Sequence, residues 1–68
     1  MNVDYIMDYE ACQKLLQPLN LVPKENKNNW AWLEKNLKPL YPNNSQVDTI
    51  LILVKDLKDR EQYFRSNS

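Results

Sequence analysis

The chain contains no glycine in 68 residues. That one absence removes much of the conformational menu. Glycine-rich loops that cradle phosphate, two-residue glycine hairpin turns and glycine C-caps cannot be written without it. An all-α architecture loses least, because a helix interior needs no residue at positive φ. Asparagine, nine of the 68 residues, is then expected to take the helix-end and positive-φ positions that glycine usually fills.

Apolar periodicity predicts three principal helices in a small bundle. In DYIMDYEACQKLLQPL, Tyr5, Tyr9, Cys12, Leu16 and Leu19 recur at helical spacing, which predicts a helix over 5–17 with Asp4 as its N-cap. Pro18 and Pro23 close it and make QPLNLVPK a short connector that buries Leu19 and Leu21. KENKNN reads as a polar loop delivering Asn28 or Asn29 as the cap of a second helix over 30–38. Its apolar side is Trp30, Leu33, Leu37 and Leu40, and Pro39 is expected to limit it. After the turn LYPNNS, Ser45 and Asp48 form a capping-box-like start to a third helix over 46–64. VDTILILV is also β-branched and apolar enough for a buried strand. A lone strand would have no second strand to pair with, so the helix is preferred. The expected core is Tyr9, Cys12, Leu16, Leu19, Trp30, Leu33, Leu37, Leu40, Val47, Leu51, Val54 and Leu57.

A chain of this length is one domain, 1–68, and buries only roughly 60% of the surface its unfolded form exposes. The usual staples are missing. Cys12 is the only cysteine and there is no histidine, so neither an intramolecular disulfide nor an ordinary structural zinc site can form. Self-association or docking on another protein is the natural supplement to so small a core. Nucleophilic catalysis through a Ser–His or Cys–His pair is excluded on the same composition. The pairs Asp56 with Asp59 and Asp4 with Asp8 share helix faces and are chemically able to exchange protons, but a salt-bridged surface is the simpler account. Cys12 falls on the apolar stripe and reads as a small buried hydrophobe rather than a reactive thiol. No catalytic residue, cofactor, metal or small-molecule substrate is expected.

Nine basic and nine acidic residues cancel, which removes the simplest electrostatic case for nucleic acid or an anionic membrane. Segregation along the chain is mild. Residues 1–23 carry Asp4, Asp8 and Glu10 against Lys14, and residues 24–38 carry Lys24, Lys27, Lys35 and Lys38 against Glu25 and Glu34. The run ILILV is far short of the roughly 20 residues that span a bilayer. MNVDYIMDYE lacks a basic, then apolar, secretory pattern, so a reducing cytoplasmic location is expected.

Two features suggest a binding surface. Trp30 and Trp32 are separated by two helical positions, about 200° of arc, so they cannot face the same way. Trp30 shares its side with Leu33 and Leu37. Trp32 projects with Asn36, either beneath the 18–23 connector against Leu21 or Val22, or toward a protein partner. Ile50–Val54 is apolar all round, more than a three-helix core easily covers, which leaves Ile52 or Leu53 for something else. The expected function is a non-enzymatic protein–protein interaction module, an adaptor, an assembly unit or a small regulator. Its expected partner-binding residues are Trp32, Asn36, Ile52 and Leu53, and its partner is another protein or a second copy. Two alternatives stand beside it. One is a phage or mobile-element regulator that masks a host protein, and the other a weak nucleic-acid binder through Lys24, Lys27, Trp32 and Lys35.

The segment PNNSQVDTILILVKDL resembles part of the bacterial effector-associated, death-like adaptor domains. The resemblance rests on Val47, Asp48, Leu53, Val54 and Leu57, with Leu15-Leu16 and Trp32-Leu33 through Leu37 in a similar order of helices. It covers about 40 residues, and Lys58-Asp59-Arg60 stands where that group often has a Pro-Gly-Gly-like turn. The resemblance implies a small helical bundle that joins larger proteins by like-with-like contacts.

Overall fold

A computed structural model describes residues 3–66. They form three α-helices and one short 3₁₀ turn, with no strand among the described residues. Helix α1 is Val3–Leu16, the 3₁₀ turn is Lys24–Asn26, α2 is Trp30–Leu40 and α3 is Ser45–Ser66. Helix α3, 22 residues long, has a length of about 33 Å at 1.5 Å per residue. That accounts for most of the 37 Å long axis of the molecule.

Helix α3 is the spine. Both α1 and α2 pack on it, while among the described residues no Cα of α1 comes within 8 Å of one in α2. At about 100° per residue, Val47, Ile50, Val54 and Leu57 make one stripe, Leu51 and Leu53 flank it at about 80° on either side, and Ile52 lies opposite. The stripe is fully buried together with Cys12, Leu16, Leu33 and Leu37, and Leu19, Val22 and Trp30 complete the core. Complete burial of one such aliphatic side chain contributes roughly 1.5–3 kcal/mol.

The core therefore differs from the expected one at specific positions. Ile50 occupies the place assigned to Leu51, which is half-buried on the α2 side. Tyr9 is half-buried against the core rather than inside it, and Leu40 is exposed. In the connector, Val22 is buried and Leu21 is exposed. The Val22 N–H donates to the Leu19 carbonyl at 3.2 Å, a turn that brings residues 19 and 22 to one side and sends Leu21 outward. Leu21 is held there by its backbone N–H, which donates to the Tyr41 hydroxyl at 2.7 Å.

The helix ends also correct the expectation about asparagine. No described residue has positive φ. Asparagine instead works at N-termini, where its carbonyl oxygen accepts from free backbone N–H groups. Asn29 caps α2 by accepting from the Trp32 N–H at 3.2 Å, and Asn44 accepts from the Gln46 N–H at 2.9 Å at the start of α3. The cap of α3 is thus Asn44, not Ser45. Asp4 lies inside the first turn of α1 rather than at its cap, because the helix starts at Val3. There it still faces the positive end of the helix dipole.

At its C-terminus α1 stops at Leu16, one residue short of the expected end, because Pro18 disfavours helical geometry at Gln17. The Gln17 N–H is shared between the Gln13 and Lys14 carbonyls at 3.1 and 3.3 Å. Pro39 does not end α2, which continues to Leu40. Proline removes one hydrogen bond from the last turn only, and the Tyr41 N–H closes the helix on the Leu37 carbonyl at 2.9 Å. The loop expected over 24–29 contains the 3₁₀ turn, entered from Pro23 at φ −59°. Helix α3 extends two residues past its expected end, to Ser66.

Candidate protein-interaction surface

Polar side chains fix the two outer helices to the spine on different sides. On one side Lys38 bridges Asp48 and Lys58 bridges Glu34, each at 2.7 Å, and Trp30 Nε1 donates to Glu61 Oε2 at 2.8 Å. These run α2 antiparallel to α3 along the Leu51 flank. The hydrogen bond to Glu34 holds the Lys58 ammonium above its usual range. On the other side Arg60 reaches Asp8 at 3.1 Å and Asp56 at 2.9 Å. The Asp8 contact is an ion pair without hydrogen-bond geometry. Arg60 thus gathers one carboxylate from each pair considered for acid/base chemistry and neutralises it.

A run of aromatic rings joins the three helices at the end where α1 and α2 begin and α3 finishes. Tyr63 meets Phe64 with centroids 6.1 Å apart, Phe64 meets Tyr5 at 5.7 Å, Tyr5 meets Tyr9 at 6.3 Å and Tyr9 meets Trp30 at 5.6 Å. Three of the four contacts are edge-to-face, the arrangement ring quadrupoles favour. The run begins at a solvent-facing tyrosine and ends in the core. Burial is the main reason that the Tyr5 phenol titrates higher than usual, with Glu61 and Tyr9 adding to the effect and Arg65 opposing it. Cys12, enclosed on all sides, is pushed up to about 11 by burial. Its thiol stays protonated and unreactive, as expected of a core hydrophobe.

The four residues expected to bind a partner do not share one environment. Ile52 is 71% exposed on the outer side of α3. Its neighbours at helical spacing are Asp48, Thr49, Lys55 and Asp56, so one apolar side chain sits inside a polar ring. Leu53 and Trp32 are half-buried and packed on the core from within the same chain. Asn36 is half-buried, and its Nδ2 donates to the Trp32 carbonyl at 2.9 Å. Trp32 is therefore held at both ends of its peptide, its N–H by Asn29 and its carbonyl by Asn36.

Sequence reasoning passed over Met7, which is 62% exposed on the outer side of α1. The signal was present, since Met7 lies about 170° from the mean direction of Tyr5, Tyr9, Cys12 and Leu16. Tyr63, 65% exposed, was missed too; it lies about 160° from the buried stripe of α3, on the same outer side as Ile52. A concavity of about 800 Å³ runs between α1 and the connector, lined by Tyr9, Gln13, Leu19, Val22, Lys24 and Lys27 among others. Gln13 Nε2 closes one side by donating to the Lys27 carbonyl at 2.8 Å. No group of three or more Cys, Asp and Glu residues able to hold a metal ion occurs among the described residues. No helix formed by those residues is long and apolar enough to cross a membrane.

By its architecture the protein is a small all-α bundle organised on a central C-terminal helix. The chain matches no protein-family model, no curated protein and no solved structure. Its resemblance to adaptor domains rests on the residues of 47–57 and the preceding helices alone.

Proposed function

We propose that this chain is a non-enzymatic protein–protein interaction module, working in the cytoplasm as an adaptor, an assembly unit or a small regulator. One observation carries the reading. Two helices present an apolar side chain to solvent on the side away from the core, Met7 on α1 and Ile52 on α3, while Trp32 on α2 packs against the core and is only partly covered by its own chain. In a chain with so little core, apolar area left in water is a recurrent loss that a partner can recover. The polar ring around Ile52 matches the layout of small interfaces, an apolar centre inside a hydrated rim.

Site-specific photocrosslinking in cells tests the reading. Benzoylphenylalanine placed at positions 7, 32 and 52 in turn is expected to give discrete adducts, with position 25 on the polar 3₁₀ turn as the control. No discrete adduct from any of the three apolar positions would defeat the proposal.

A further inference from the structure

A cavity of about 350 Å³ lies where the end of α1, the connector and the turn into α3 meet. Its walls are Leu15, Pro18, Leu19 and Tyr41. Hydrogen bonds within the chain hold them in place. The Leu19 N–H donates to the Leu16 carbonyl at 3.0 Å, the Asn44 N–H to the Tyr41 carbonyl at 3.3 Å, and the Tyr41 hydroxyl accepts from the Leu21 N–H at 2.7 Å. Small-molecule sites are commonly of this kind, preformed, mainly apolar, with few polar groups and a volume from about 300 Å³ upward. The polar side chains on the lining are Lys14, Asn44 and Gln46, with no carboxylate among them. Lys14 has no ion-pair partner among the described residues, and Glu10, one turn earlier on α1, does not pair with it. The Tyr41 hydroxyl, an acceptor toward Leu21, donates its own proton to no described residue. The larger concavity between α1 and the connector sets Glu25 beside Lys24 and Lys27, and so favours neither sign of ligand.

We infer that this cavity binds a small straight-chain carboxylic acid, its alkyl chain between Leu15, Pro18, Leu19 and Tyr41 and its carboxylate against Lys14. The head group follows from charge complementarity. A carboxylate pairs with the free ammonium and accepts from the Tyr41 hydroxyl, whereas an amine is repelled by Lys14 and an alcohol leaves it unpaired. The chain length follows from volume. At about 30 Å³ for each water-sized group, 350 Å³ takes roughly ten to twelve of them, the heavy atoms of octanoate or decanoate. Each methylene taken out of water should tighten binding by about two- to fourfold. The cavity exists only in the folded chain, because three separate segments build it. Ligand at ten times its dissociation constant therefore raises the folding equilibrium constant about elevenfold. In a chain with neither a disulfide nor a histidine for structural zinc, the ligand supplements a small core. The inference stands apart from the interaction-module reading and does not rest on it.

Octanoate titrated into the isotope-labelled whole chain at constant ionic strength, with amide shifts read by NMR, tests the inference. The amides of Leu15, Leu19, Tyr41, Asn44 and Gln46 should move together and saturate with a dissociation constant of about 0.1–5 mM. Butanoate, four methylenes shorter, should bind at least about tenfold more weakly. Lys14→Glu should weaken octanoate by about three- to tenfold and tighten octylammonium by a similar factor, since an exposed attraction becomes a repulsion. That exchange of preference also shows the variant to be folded with its cavity intact. Lys55→Glu, exposed on α3 and outside the cavity, should change neither ligand. No saturation by about 20 mM octanoate, shifts centred on Met7 and Ile52 instead, or a Lys14→Glu variant that binds octanoate as the parent does would each overturn the inference. Crosslinking from positions 7, 32 and 52 is a separate readout, so failure here leaves the interaction reading standing and failure there leaves the ligand site standing.

Discussion

Trp30→Ala tests the core at its largest member. The indole is 6% exposed, meets Tyr9 edge-on at 5.6 Å and 81°, and donates from Nε1 to Glu61 at 2.8 Å. Truncating a buried aromatic of this size costs about 3–5 kcal/mol. The edge-to-face pair contributes roughly 0.5–1.5 kcal/mol of that. The hydrogen bond contributes no more than about 1 kcal/mol, because Glu61 is partly exposed and is bridged to Arg65 as well. A single core in a domain this small supplies only about 3–5 kcal/mol in all. The alanine variant should therefore be largely unfolded at room temperature. Trp30→Phe keeps a ring against Tyr9 and loses the hydrogen bond and part of the volume, so about 1–2 kcal/mol and a melting point lower by about 5–15 °C are expected. Far-UV circular dichroism under urea and heat is the assay, since Trp32 would confuse a fluorescence signal. An alanine variant melting within about 5 °C of the parent would show that Trp30 does not anchor the core.

Other outcomes follow from the same geometry. Ile50→Ala should destabilise the chain by about 2–5 kcal/mol, while Ile52→Ser should stay within about 0.5 kcal/mol, measured by urea denaturation. Equal losses at the two positions would contradict the phase of α3. Asn29→Ala and Asn44→Ala should each cost about 1 kcal/mol in melting experiments, whereas Ser45→Ala should be nearly neutral. Cys12 should react with a thiol reagent only as fast as the chain opens, and rapid labelling of the folded protein would refute its enclosure. Its folded pKa lies above the ordinary 9.0, so the stability it contributes is complete below about pH 9 and is lost as pH rises toward about 11. The loss is on the order of 2–3 kcal/mol, and it should be absent from pH-dependent denaturation of Cys12→Ala.

What the residues alone determined was the number, order and rough limits of the helices. Those follow from local causes: the prolines at 18, 23 and 42, the absence of glycine, the capping power of asparagine, and the period of the apolar positions. The division of labour between Trp30 and Trp32 was local too, because two positions on any helix point to opposite sides. Only the tertiary structure decided the phase of α3. A helix that is apolar on every side through Ile50–Val54 has no preferred inward direction of its own. The packing of α1 and α2 on α3 chooses Ile50 over Leu51, covers Leu53, and leaves Ile52 in water. The same packing keeps the backbones of α1 and α2 apart, so that among the described residues they meet through side chains such as the Tyr9–Trp30 ring pair rather than by close backbone approach.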